Sequence, residues 1–241
     1  MPSAYKFQNL EIQSAILSER VLLLSVGTNI DPEINKLIHK IASAIIGALI
    51  PGIGECIPAY ASLSIHFDPQ VVRNHFSDQL PADVVRDQVF DLIAKMDAAK
   101  SSGISRLLEI PVWYNGEDLQ PLSQHHGLSS DEVIEIHCGV TYQVYMIGFL
   151  PGFAYMGAVD PRIATPRHAS PRQKVPSGSI AIAGMQTGIY PLESPGGWQL
   201  IGRTPMKLFN VDNNEPCLLN PGDQVRFMPV SESEFLKLHG S

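Results

Sequence analysis

A chain of 241 residues, 44% hydrophobic and 17% charged, is long and apolar enough to bury about 70% of its extended surface, which excludes disordered and fibrous classes. A net charge of −7 argues against nucleic acid or an anionic membrane as the partner. Cys56, Cys138 and Cys217 are odd in number, far apart and free of any C-x-x-C pair, which excludes a disulfide scaffold and makes the cytoplasm the expected location.

The opening MPSAYKFQNLEIQ lacks a basic stretch followed by an apolar one, so no export signal is expected. Val21 to Val26 reads as a short strand. Asp31-Pro32-Glu33 then supplies a cap, a proline suited to the first helical position and a first-turn carboxylate. The helix that follows places Ile34, Leu37, Ile38, Ile41 and Ile45 on one face. Between Ile41 and Ile65 the only charge is Glu55, but Pro51, Gly52, Gly54 and Pro58 interrupt what a membrane span would need unbroken. Leu63, Ile65 and Phe67 alternate with polar neighbours as in a half-buried strand, leaving His66 on the solvent side. A second amphipathic helix is read from Val85, Val89, Leu92, Ile93 and Met96. The order β-α-β-β-α-β predicts a ferredoxin-like α+β domain over residues 1–100, bounded by the small polar stretch Asp97–Gly103.

Beyond Arg106 the pattern changes. Ile110–Tyr114 reads as a strand and Ser129-x-x-Glu132 as a capping box before Val133, Ile134 and Ile136. Short apolar runs then alternate with Gly/Pro turns, and Asn220–Asp223 turns into a final strand at Gln224–Phe227. A β-rich second domain over 106–235 is expected. Residues 148–205 are the only net-basic window, with Arg162, Arg167, Arg172, Lys174 and Arg203 against two acids. The expectation is one concavity in which these cations grip an anion; scattered solvated arginines are the alternative.

Several chemistries are excluded by motif. No G-x-x-x-x-G-K-[ST] loop exists, Gly52-x-Gly54 lacks the rest of a dinucleotide fingerprint, and no G-x-S-x-G elbow is present. His125, His126, His137 and Cys138 lack the spacing of a metal site, so no metal ligands are assigned.

The segment from Tyr145 to Pro205 is YMIGFLPGFAYMG, Ala-Val, then DPRIATPRHASPRQKVPSGSIAIAGMQTGIYPLESPGGWQLIGRTP. It resembles the family of 5-oxoprolinase B subunits, also known as the allophanate hydrolase subunit 1 or kinase-inhibitor (Kip) family. PAYASLSIHFDP (Pro58 to Pro69) and GLSSDEVIEIH (Gly127 to His137) match as well, with Ala61 standing where the family usually shows a basic residue. The resemblance implies a ferredoxin-like α+β domain followed by a mainly β, cyclophilin-like barrel of carboxyltransferase type. It also implies partners, a homologous C subunit together with a hydrolase component, the A subunit; these act on 5-oxoproline with ATP, accompanied by Mg, as co-substrate. A regulatory protein that inhibits a sensor histidine kinase is the alternative the same family carries; a prolyl isomerase would rest on fold analogy alone.

For phosphoryl transfer, fixed positive charge and positioning matter more than a protein nucleophile. Arg203 is the first choice for a bidentate anion clamp, with Gln186 as an orienting donor and His137 as an acid–base group. Arg162 and Arg167 are secondary cations. Phe149, Pro151, Gly152 and Phe153 would wall a small planar ligand, and Tyr190 would orient it. The Ser194-Pro195-Gly196-Gly197 turn offers backbone N–H groups to an anion, and Thr204 follows the clamp. A tight turn over Trp198 accounts for the same glycines, and a helix-end histidine for His137.

Overall fold

The computed structural model describes residues 3–7, 10–76, 79–96 and 106–239, and its contacts divide the chain into Met1–Gly103 and Ile104–Ser241. The stretch 97–103, expected as a boundary, lies outside the described residues.

In the first unit, β1 (Ser3–Phe7), β2 (Leu10–Ser18) and β3 (Val21–Ser25) precede α1 (Pro32–Ala48). Then come β4 (Ile53–Pro58), β5 (Ser62–Phe67), α2 (Pro69–His75) and α3 (Pro81–Lys95). Asp31 starts α1 as its residue type dictates: the carboxylate accepts from Glu33 N at 2.8 Å and Ile34 N at 3.2 Å. Ile38, Ile41 and Ile45 of α1 join Val85, Val89 and Ile93 of α3 over Leu22, Leu24, Leu63 and Ile65, all at 1% exposure or less. Each such burial contributes roughly 1.5–3 kcal/mol. His66 faces away from this core, opposite Val21.

The strand order is β1-β2-β3-β5-β4, every pair antiparallel. This corrects the expected β-α-β-β-α-β succession. Two strands stand ahead of β3, two helices follow β5, and β2 occupies the place beside β3. The alternation that would reveal β2 is broken by a buried polar residue, Ser14, and by exposed Ile16 and Leu17.

The second unit opens with β6 (Leu107–Val112), α4 (Leu119–His126) and α5 (Ser130–Cys138). The Ser129–Glu132 capping box is formed in both directions. β7 (Thr141–Ile147), β8 (Ala154–Gly157) and a single 3-10 turn (Pro161–Ile163) lead to β9 (Arg172–Val175), β10 (Ser179–Ala183) and β11 (Gln186–Ile189). β12 (Ser194–Gly196), β13 (Gln199–Arg203), β14 (Gln224–Pro229) and α6 (Glu232–His239) complete it.

Seven of these strands form one sheet in the order β13-β10-β11-β8-β7-β14-β6. Its two edges meet where Trp113 and Arg203 exchange backbone hydrogen bonds of 2.9 and 2.8 Å, so the sheet curls into a nearly closed barrel. Ile110, Val112, Val144, Met156, Ile180, Ile182, Ile189, Ile201 and Phe227 fill one side of the wall, joined by Leu122 of α4 and Val133 of α5. Because side chains alternate across a strand, Tyr155, Ala181, Ala183 and Leu200 point to the other side, beneath the two-stranded β9–β12 ribbon.

Candidate functional site

That second side carries a cluster of aromatic rings. Phe153 is its hub, with ring centroids 4.8 Å from Tyr155, 5.1 Å from Tyr190, 5.4 Å from Trp198 and 5.7 Å from Phe149. Gly188 on β11 makes the hub possible, since a Cβ there would sit 3.0 Å from both Phe153 and Trp198. Phe149 is 64% exposed and held at φ +70°, a left-handed conformation costing a bulky residue about 1 kcal/mol. The tight loop that imposes it contains exposed Pro151 and buried Gly152, packed against Leu208 and Phe209.

The five cations of the basic window differ in what they face. Arg162 forks onto Asp160 at 3.1 and 2.8 Å, Lys174 pairs with Glu193 at 3.0 Å, and Arg172 pairs with Glu117 and Asp118, both at 2.6 Å. Arg167 and Arg203 have no carboxylate partner among the described residues. The Arg167 guanidinium lies 5.8 Å from the centroid of Trp198, a cation–π arrangement at the open edge of the cluster. Arg203 donates through Nε to Ser177 O at 2.9 Å, leaving its two terminal nitrogens for other acceptors.

The strand register spaces the expected site residues along β10. Arg203 pairs with Ser179 and Gln186 with Ala183, the two ends of β10, which are about 13 Å apart at ~3.3 Å per residue. Arg167 belongs to the Gln186 end, because Trp198 adjoins Gln199, the partner of Ile182. Thr204 is 2% exposed, its hydroxyl accepting from Met206 N at 3.3 Å, and serves the turn after β13.

His137 is also corrected. It is wholly buried inside the barrel, stacked 4.7 Å from Phe227. The Tyr114 hydroxyl donates to Nδ1 at 2.8 Å. Nε2–H donates at 3.0 Å to Thr187 Oγ1, whose own proton goes to Ala181 O. Both nitrogens are used and burial pulls the pKa down to about 3, so the ring is a neutral core group.

Tyr190 is 1% exposed and its hydroxyl accepts from Trp198 N–H; burial raises its pKa. Burial raises Tyr155 too, while Arg167 pulls the other way. Ser194, Pro195 and Gly196 form β12, and Gly197 O accepts from His168 N at 2.7 Å, so the turn's backbone is largely spent on β9 and its approach.

The sequence profile of the family described as "Carboxyltransferase domain, subdomain C and D" matches residues 12–219. The chain belongs to that carboxyltransferase-domain family. It is 41% identical to the 5-oxoprolinase B subunit of Bacillus subtilis, over 91% of this chain and 93% of that one. Against the 5-oxoprolinase B subunit of Escherichia coli O157:H7 the identity is 37%, over 90% and 95%. The crystal structure of TTHA0988 superposes with a TM-score of 0.76 at 35% identity, covering 88% of this chain but 40% of that one.

In this carboxyltransferase-domain chain the residues beside the aromatic face that sequence reasoning does not single out are Tyr155, Asp118 and His168, and it leaves the partner of Arg172 unnamed. Asp118 and Arg172 stand 54 positions apart, and no local pattern announces the pairing. No group of three or more His, Cys, Asp or Glu among the described residues is placed to hold a metal ion. Glu117 and Asp118 both pair with Arg172. Among the described residues no helix is long and apolar enough to cross a membrane.

Gly196 gives the face a sharp stability test. A Cβ at this position would run into the Tyr190 hydroxyl and lie 2.8 Å from two ring carbons, and the ring has no room to retreat from Phe153. Gly196→Ala is expected to destabilise the second unit by about 2 kcal/mol, read as a lowered denaturant midpoint at unchanged slope. An unaltered midpoint would mean the ribbon yields.

Proposed function

We propose that this chain is the B subunit of an ATP-dependent 5-oxoprolinase, working in the cytoplasm with a homologous C subunit and a hydrolase component, the A subunit. The observation that carries the reading is the 41% identity to the Bacillus subtilis protein over nearly the full length of both chains. The match covers 40% of the TTHA0988 chain, which leaves room there for a further component beside the part like this one. In this reading residues 1–100 form the ferredoxin-like domain, built on the split β3-α1-β4 unit with β5 between the two strands. Residues 106–235 form the cyclophilin-like barrel.

The chemistry accounts for the division of labour. A five-membered lactam is a resonance-stabilised amide, and opening it to glutamate requires coupling to ATP. Phosphorylating the amide oxygen activates the ring; the B and C subunits would carry out this step, leaving hydrolysis to the third component. Arg167, not neutralised by any described carboxylate and lying over Trp198, is suited to the substrate carboxylate, with Phe149 and Phe153 as the apolar wall. Arg203, at the other end of β13, is suited to a second anionic group such as phosphate. No step in this reading passes through a metal held by this chain.

Mixing the purified chain with the A and C subunits should give ADP release that depends on 5-oxoproline and falls to background when any one component is omitted. A complete mixture that stays silent contradicts the reading.

A further inference from the structure

Asp118 stands at the N-cap position of α4, where an aspartate ordinarily accepts from its own helix, yet it makes no such cap. Its carboxylate, 8% exposed, is turned to a different set of donors. Oδ2 accepts from Leu200 N at 2.6 Å. Arg172 Nη2 reaches both oxygens, at 2.6 and 2.8 Å, and His168 Nε2 lies 3.3 Å from Oδ1. Asp118 therefore binds two segments at once, 166–172 through Arg172 and 196–200 through Leu200.

Those segments are laced together along their length. Gln199 Nε2 donates to Pro166 O at 2.8 Å, His168 N to Gly197 O at 2.7 Å, and Arg172 Nη1 to Trp198 O at 3.3 Å. Arg167 lies on the first segment and Trp198 on the second. Neither side chain touches Asp118, but both segments that present them converge on it. A helix cap has been given up and a carboxylate buried to make this junction, both costly unless the junction matters.

We propose that Asp118 is the positioning residue that holds Arg167 and Trp198 face to face, keeping the guanidinium aimed at the ligand. The proposal rests on the reading of that pair as a ligand-facing site, and its test separates the two. In the full-length chain carrying Trp113→Phe, Trp198 is the sole indole, and acrylamide quenching reports its shielding. Asp118→Asn keeps the shape but weakens the grip on Arg172. It should raise the quenching constant about twofold or more while the thermal transition stays cooperative.

In the reconstituted 5-oxoprolinase the same variant should lose about tenfold in kcat/KM, through KM rather than kcat. Combined with Arg167→Ala it should cost no more than Arg167→Ala alone, as expected of residues acting through one network. If Asp118→Asn fails to fold, Arg172→Gln takes its place with the same expected rise in quenching. Unchanged quenching, strictly additive kinetic losses, or failure of both variants to fold would each overturn the proposal. An inactive complete mixture built from the unaltered chain would defeat the functional reading, while the quenching result would still decide the positioning role.

Discussion

Replacing Arg167 by alanine is expected to lower kcat/KM for 5-oxoproline in the reconstituted system by about a hundredfold or more, the effect of truncating one partner of a desolvated charge pair. The expectation follows from the pattern of neutralisation across the basic window. Arg162 is already committed to Asp160, Lys174 to Glu193 and Arg172 to Glu117 and Asp118, whereas Arg167 is offered to the aromatic face without a described carboxylate. Arg162→Ala, on an exposed local pair, should leave kcat/KM within about twofold. Lysine at 167 should restore little, because an ammonium cannot both lie flat on Trp198 and present a planar pair of donors. Arg203→Ala should also reduce turnover, acting on the phosphate-facing end. Equal, small effects from Arg162→Ala and Arg167→Ala would remove the aromatic face from the site.

Acid should weaken the second unit in a window set by His137. The ring is neutral when folded, with a pKa drawn down to about 3 by burial, while the unfolded chain takes up a proton near the ordinary value of about 6.5. Between these limits the unfolded state holds one more proton. Stability therefore rises with pH through the window and falls by about 1.4 kcal/mol for each unit of acidification, or about 2 kcal/mol by pH 5. The stabilisation is complete above the unfolded value, and its loss levels off below pH ~3. His126 is shifted in the same direction by burial, so the measurement is a difference: denaturant titrations from pH 7 to 5 on the chain and on His137→Gln. The parent should show the steeper decline. Equal slopes would place a charged or solvated imidazole in the barrel, against its contacts with Tyr114 and Thr187.

Local chemistry is legible in the sequence where one short segment decides the outcome. Asp31 before Pro32 starts α1, Ser129 and Glu132 cap α5, and the turn at Asn220–Asp223 leads into β14. What escapes depends on partners distant in the chain. β2 is hidden because its inward positions include Ser14, and α6 after β14 because its apolar spacing is short. Phe149, Phe153 and Tyr190, expected as a wall and an orienting donor for one ligand, lie together in one aromatic cluster. Sequence reasoning offers His137 as an acid–base group because a helix end says nothing about what closes over it, and here it is buried in the barrel. The network around Asp118 joins residues from three parts of the second unit, and only the folded barrel brings them together.

The pairing of β6 with β14 has a consequence for how the barrel forms. It is the one parallel pair among the described strands and matches Leu107 with Gln224 and Val112 with Pro229, so its two members are more than a hundred residues apart. Loop-closure entropy must be overcome before such a contact gives any return, and high contact order slows folding. The antiparallel hairpin β10–β11 can form early, but the ring stays open until the last strand slots between β6 and β7. A nascent or truncated chain lacking residues 224–229 would expose two raw sheet edges, an invitation to aggregation that the completed ring removes.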